Sequence, residues 1–130
     1  MLGFGSAGMW TAKPFLDAGE RVIVVEDDAV ICKQLSRNNL RFLRGDGADP
    51  DVLKTTGAPK AKLIIASMRR VRDALVVIRL VSDQVPVMVK VFEEHERELI
   101  ENAGGIAVMN SKATADTFME WLDAHHATPS

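Results

Sequence analysis

The sequence has no tyrosine, and its only cysteine is Cys32. The first absence removes a tyrosine–lysine proton relay from the chemistry open to the chain, and the second excludes an intramolecular disulfide. One thiol in 130 residues suits a reducing cytosol, and its setting in Val30-Ile31-Cys32 reads as a small buried hydrophobe. Charge of one sign is lacking too. Sixteen basic and 18 acidic residues leave a net charge of −2, too weak a field to draw nucleic acid or an anionic membrane surface. The longest apolar run falls far short of the ~20 residues that span a bilayer, and no basic start followed by an apolar stretch marks a secretory signal. No Cys/His grouping has zinc spacing.

What is present is a rhythm. Short β-branched runs at 21–25, 40–43, 62–66, 87–91 and 106–109 alternate with helical periodicity at 6–18, 28–37, 49–56, 71–82, 93–103 and 113–124. Alternation of this kind yields parallel strands joined by crossover helices, and runs such as Val22-Ile23-Val24-Val25 suit strands covered on both faces. Helix ends carry the expected signals: Asp49 can cap a helix beginning at Pro50, and Gly19, Gly57 and Gly104 stand where helices should stop. Pro14, inside the first helix, removes a backbone donor and is expected to kink it. No repeat, linker or low-complexity tract divides residues 1–130, so one domain is expected, with only 125–130 fraying.

Gly3-Phe4-Gly5-Ser6-Ala7-Gly8 fits G-x-G-x-x-G, in which a tight turn brings a helix amino end up to a pyrophosphate. Glu26 follows Gly8 by 18 residues, at the end of the next strand, where a carboxylate can accept from ribose hydroxyls. Clustered with Asp27 and Asp28, it favours an unphosphorylated ribose, hence NAD(H) or an adenine nucleotide (AMP, ADP or ATP) over NADP(H). The fold expected is α/β: a Rossmann-like, doubly wound parallel sheet of about six strands with helices on both faces. Only Met1 and Leu2 precede the turn, so the first strand is a stub, and a start partway into a longer chain is the expectation.

The glycine turn, the strand-end acid in Val24-Val25-Glu26-Asp27 and the stretch Gly45-Asp46-Gly47-Ala48-Asp49-Pro50-Asp51-Val52-Leu53 with Gly57 together resemble the RCK or TrkA-N domains. That family regulates potassium channels, potassium uptake systems and Kef-type cation/proton antiporters. The run 61–67, the helix from Glu94-His95 to Leu99 and the segment 103–108 extend the resemblance over nearly the whole chain. It implies that Gly3, Phe4, Gly5, Ser6, Ala7 and Gly8 cradle phosphates, that Glu26 and Asp27 meet the ribose, and that Asp46 and Gly47 lie beside the adenine. On residue chemistry alone, Asp46-Gly47 is equally a plain turn. The loop Ser67-Met68-Arg69-Arg70-Val71-Arg72 departs from the family's acidic or amide residues. Ser67 and Arg69 stand at the carboxyl edge, where Arg69 can reach an anion, although a solvated helix start explains its charge as well.

A dehydrogenase needs a group to move a proton alongside the hydride and a second region to hold substrate. His95 reads as a surface helix residue, and His125 and His126 belong to the tail. Met88, Met109, Phe118, Met119 and Trp121 read as packing residues, with an exposed Phe118/Trp121 stripe as the alternative, a dimer face. The resemblance implies a nucleotide-sensing, homodimeric regulatory domain without catalysis, at the cytoplasmic side of a membrane and fused to or associated with an ion transporter. Two alternatives stand beside it: the cofactor half of an NAD-dependent oxidoreductase, and an interaction domain that has lost its ligand.

Overall fold

A computed structural model of the protein describes residues 1–5, 7–81 and 83–126. Helix α1 (Gly8–Asp17) leads to β1 (Ile23–Glu26), α2 (Ala29–Arg37) and β2 (Arg41–Arg44). Then follow α3 (Pro50–Thr56), a 3-10 turn (Ala58–Lys60), β3 (Ile64–Ala66), α4 (Val71–Val81), β4 (Val87–Val91), α5 (Glu94–Asn102), β5 (Ile106–Met109) and α6 (Asn110–His126). Every strand pair is parallel, with β1 beside β2 in one group and β3, β4 and β5 in the other.

Leu2 joins the two groups. It bridges Val25 on one side and Ala66 on the other, both in parallel sense. The spatial order is therefore β2-β1-Leu2-β3-β4-β5: the chain winds from the centre to one edge and returns to wind toward the other, which is the doubly wound pattern. Among the described residues the expected five strands form, and the expected stub of a first strand is the one-residue central bridge at Leu2. Backbone bonds hold the bridge on both flanks: Val25 N–H donates to the Met1 carbonyl (2.8 Å), Gly3 N–H to Val25 (2.8 Å), Leu2 N–H to Ile65 (2.8 Å) and Ser67 N–H to Leu2 (2.9 Å). Beneath the bridge, toward the amino ends of the strands, β1 and β3 part around a cavity of about 630 Å³ lined in part by Phe15, Val22, Ile23 and Ile64.

Because strand side chains alternate, Val24 and Val25 enter different cores. Val24 packs with Phe4, Ala12, Leu35 and Leu40 under α1 and α2. Val25 joins Leu2, Leu53, Ala66, Val77, Val89 and Ile100 on the other face, where α3, α4 and α5 lie. Two helix ends follow the chemistry read from the sequence, Asp49 accepting from Asp51 N–H ahead of Pro50 and Gly57 closing α3 in the left-handed region; Asp28, read as the first residue of its helix, instead caps α2 by accepting from Val30 and Ile31 N–H. Helix α1 runs as one helix through Pro14, which has no N–H to donate to the Trp10 carbonyl.

Coverage of the α1 face stops halfway. On that face Ile106 and Val108 of β5 are exposed, and α6 does not return to cover them: residues 115–125 are exposed throughout. The reason is local, since α6 starts at the residue after β5 ends and leaves no turn to fold it back. This corrects the reading of Phe118, Met119 and Trp121 as packing residues, which are 69%, 54% and 59% exposed. His125, expected to fray, is helical; its Nδ1 lies 2.7 Å from the Trp121 carbonyl and its ring stacks on Trp121. The rest of the expected fraying tail, 127–130, lies outside the described residues.

Leu2→Ala is expected to lower the unfolding free energy by about 2–5 kcal/mol, the range for emptying a buried leucine site, in denaturant titration. A loss below about 0.5 kcal/mol, the scale of a surface change, would show that this side chain does not secure the junction of the two strand groups.

Candidate functional site

The junction at Leu2 is where the winding reverses, and in open α/β sheets ligands sit in the crevice beyond the carboxyl ends of the strands at that point. The glycine turn leaves Leu2 there. Gly3 has φ +82° and its missing Cβ would stand 3.0 Å from the Ser67 carbonyl oxygen, so the first glycine is required by both conformation and contact. Gly5 has φ +62° but nothing within 4 Å of a Cβ, so its side of the turn is open to a ligand. At Gly8 a Cβ would collide with the Phe4 ring at 2.3 Å. The third glycine lets α1 close over that ring, which is buried in the core; Phe4 therefore serves the turn through its backbone and its packing.

Among the described residues helix α1 has no side-chain cap. Ala7 occupies the cap position, offers no side-chain hydrogen bond, and no acid stands in the first turn. Both α2 and α3, in contrast, start on a capping aspartate. Trp10 N–H donates to the Ala7 carbonyl (3.1 Å); among the described residues no side chain caps the other first-turn N–H groups of α1, where the positive end of its dipole would favour an anion. Ser6, expected to contribute to the same cradle, lies outside the described residues.

Glu26, the last residue of β1, is 8% exposed and its carboxylate is fully engaged. Oε1 accepts from Phe4 N–H (2.9 Å) and Gly5 N–H (3.3 Å), and Oε2 from Asp27 N–H (3.0 Å) and Asp28 N–H (3.1 Å). Four donors match the roughly four lone-pair sites of a carboxylate. Burial by itself would push this carboxyl's pKa up, but the backbone N–H groups of Phe4, Asp28 and Gly5 outweigh it and hold the pKa below its ordinary value. In this state Glu26 braces the glycine turn, and ribose hydroxyls would have to displace some of these donors. The sequence located the acid without revealing this second employment. Behind it, Cys32 is buried, its thiol donating to the Glu26 carbonyl at 3.4 Å; burial and then the nearby Glu26 charge push its pKa up, so it is a protonated packing residue.

Asp27 is exposed at the strand end. Asp46, brought beside Glu26 through the Gly45 N–H bond to the Glu26 carbonyl (3.0 Å), uses Oδ1 to accept from Ala48 N–H at 2.8 Å. It makes the turn that its residue type favours. A Cβ on Gly47 would meet the Met68 methyl at 2.9 Å and Leu2 at 3.2 Å, so this glycine is needed by packing against the central bridge. Ser67 and Arg69 fall on the other flank of the turn. There they line a cavity of about 220 Å³ with Gly5, Gly8, Thr11 and Lys90. Lys90 and Thr11 were missed from sequence; the signal available was a charge inside the apolar run 87–91. Among the described residues no group of His, Cys, Asp and Glu is arranged to hold a metal ion.

The chain belongs to the TrkA-N domain family, whose model it matches over residues 1–119. An 84-residue stretch is 26% identical to the glutathione-regulated potassium-efflux system protein KefC of Escherichia coli, covering 65% of this chain and 14% of that protein. This chain is thus similar to a small part of KefC. The TrkA-N domain of the inner membrane protein ybaL from Escherichia coli superposes with a TM-score of 0.82 at 19% identity, covering 93% of each chain. The GsuK channel bound to NAD gives 0.72 at 22% identity, over 82% of this chain and 20% of the channel chain. The same channel bound to ADP gives 0.73 at 21%, over 83% and 30%. These structural likenesses establish the fold.

Because the folded pKa of Glu26 lies below that of an unfolded glutamate (~4.3), the unfolded chain binds the extra proton in acid. The stabilisation is complete above that unfolded value and is lost as pH falls through the lower folded one. Glu26→Gln is expected to cost about 1–3 kcal/mol at pH 7 and to flatten the acid limb of the stability curve, measured by urea unfolding from pH 7 to pH 3. An unchanged acid limb would show that Glu26 does not brace the turn.

Proposed function

We propose that the chain is a nucleotide-binding regulatory domain, taking NAD(H) or an adenine nucleotide, that controls potassium or cation/proton transport by a membrane protein to which it is fused or bound. The observation that carries this reading is the uncapped amino end of α1 at the winding reversal, opened by Gly5 and flanked by Glu26. The residues fit a phosphate there: N–H donors without a cap, room on the Gly5 side, and no carboxylate in the first turn of the helix. Adenosine would lie on the Glu26 and Asp46 side, where Asp27 and Asp28 disfavour a 2′-phosphate.

Membership of the TrkA-N family, the likeness to KefC and the NAD- and ADP-bound states of GsuK support the link to ion transport and the choice of ligands. Among the described residues no helix is long and apolar enough to cross a membrane. In this reading the domain works at the cytoplasmic face, through its partner. It is a sensor and not an enzyme: the acid nearest the turn is held ionised and saturated with N–H donors, which suits bracing and binding better than proton transfer. Exposed Ile106 and Val108 on the half-covered sheet face, with Phe118 and Trp121 on α6, support homodimer formation.

Calorimetric titration of the chain with NADH, NAD, AMP, ADP and ATP tests the reading, with Gly5→Asp as the control. Nothing lies within 4 Å of the Gly5 Cβ position and aspartate tolerates positive φ, so the variant is expected to fold while placing a carboxylate at the open side of the turn. Saturable binding by the parent and at least a tenfold loss in Gly5→Asp, the equivalent of about 1.4 kcal/mol, is the expected result. No binding by a folded parent would overturn the nucleotide reading.

A further inference from the structure

The odd-numbered residues of β1 and β3 face each other across the centre of the sheet. Glu26 accepts from Gly45 N–H and Ile64 donates to the Pro86 carbonyl, so even-numbered residues of both strands pair outward. Val25 turns both its N–H and its carbonyl inward, to Met1 and Gly3. Below Met1 and Leu2 the next inward groups are the Ile23 N–H and Arg21 carbonyl on one wall, and the Ile65 N–H and Leu63 carbonyl on the other. All four residues line the cavity of about 630 Å³, and among the described residues none of these four groups has a backbone partner across it.

Leu2 sets the width of this slot. It bridges both strand groups and so holds β1 and β3 about 9.5 Å apart, twice the usual interstrand spacing, which is the room one strand needs. Phe15, Ala58 and Ile64 give it apolar walls. At its mouth, by the amino ends of the strands, stand Glu20, Arg21, Lys60 and Lys62. Lys62 pairs with Glu20 at 3.1 Å, whereas neither Arg21 nor Lys60 forms an ion pair among the described residues.

An acyl chain would fill the space but leave the four backbone groups without partners, and unpaired polar backbone is costly to bury. An extended peptide meets all four and offers side chains to both walls. Running parallel to β1 and β3, it enters at the mouth by its amino end, so the residues ahead of its apolar run come up against Arg21 and Lys60.

We propose that this slot is an acceptor site for an extended segment of another polypeptide, a short apolar run preceded by acidic residues, which adds between β1 and β3 as a central parallel strand. Strand addition takes its affinity from main-chain hydrogen bonds and its selectivity from alternate side chains. The site lies at the edge of the sheet opposite the glycine turn and does not depend on the nucleotide reading. Its occupant ties together the two strand groups that Leu2 joins.

The test is titration of the chain with the peptide acetyl-Glu-Glu-Val-Val-Ile-amide, with hydrogen exchange read at single amides by NMR. Saturable binding is expected, with exchange at the Ile23 and Ile65 N–H groups slowed about tenfold or more, the scale of a hydrogen bond formed on binding. The same peptide with proline for its second valine lacks one donor and is expected to bind about tenfold more weakly. Ile23→Pro removes an inward N–H at the first residue of a strand, where proline is tolerated, and is expected to weaken the parent peptide by about as much. Its thermal midpoint reports whether it folds, and the proline peptide tests the same bonds on the unaltered chain. Reversing charge at the mouth in an Arg21→Glu, Lys60→Glu double variant is expected to weaken binding severalfold, the scale of two exposed ion pairs. Unchanged affinity there overturns the acidic preference. Absence of peptide binding, equal binding of the proline peptide, or binding that leaves the Ile23 and Ile65 amides exchanging as before overturns strand addition. Decanoate binding in the slot without peptide binding assigns the cavity to an apolar small molecule and overturns it as well.

Discussion

Two residues' worth of backbone decides whether this molecule has one sheet or two. Among the described residues, Met1, Leu2 and Gly3 carry the backbone hydrogen bonds that tie the β1–β2 pair to the β3–β4–β5 group, and the glycine turn emerges directly from them. Any ligand at the turn is therefore bound at the mechanical junction of the domain. A change in how Gly3 and Glu26 hold the turn is felt on both flanks, because Val25 and Ser67 bond to residues one step away. A regulatory domain needs a ligand to favour one of two arrangements by unequal affinity, and a ligand at this junction would touch both strand groups.

The electrostatics of the turn follow from the same crowding. Glu26 is inside the sheet edge, so its charge has to be met by N–H groups, and the turn provides two of the four. Those donors are the ones nearest to the ligand position. The carboxylate thus organises the cradle and competes with its occupant, while the first turn of α1, which has no side-chain cap among the described residues, is left for the phosphate. On the far flank Lys90 presents the opposite situation, a cation set in a strand with no ion pair among the described residues. The glycine turn lies between an anion met by four N–H groups and a cation whose Nζ lies over the Phe92 ring.

Where the fold is incomplete, it is incomplete on one side. The α3–α5 face is closed over a continuous core, whereas the α1 face ends at the middle of the sheet and α6 extends away with its aromatic residues exposed. Burying such surface is the main favourable term in association, and the uncovered strand face and the apolar helix belong to one chain that has not closed on itself.

The sequence alone determined the order of elements, the parallel sense of the sheet, the glycine turn and the acid that accompanies it, because these depend on local periodicity, on cap chemistry and on residue types at fixed spacing. Asp49 and Gly57 could be read as helix punctuation for that reason. Strand ends moved by a residue or two at β1, β2 and β3, since a register is set by both partners. What only the tertiary structure decided were contacts between residues far apart in the chain: that Glu26 spends all four lone-pair sites on backbone, that Gly47 is required by Leu2 and Met68, and that Lys90 opens into the cavity beside the turn. The fate of α6 was also decided there. Its amphipathic pattern shows that it has an apolar face, but what covers that face depends on whether the chain has a turn to bring it back, and between Met109 and Asn110 there is none.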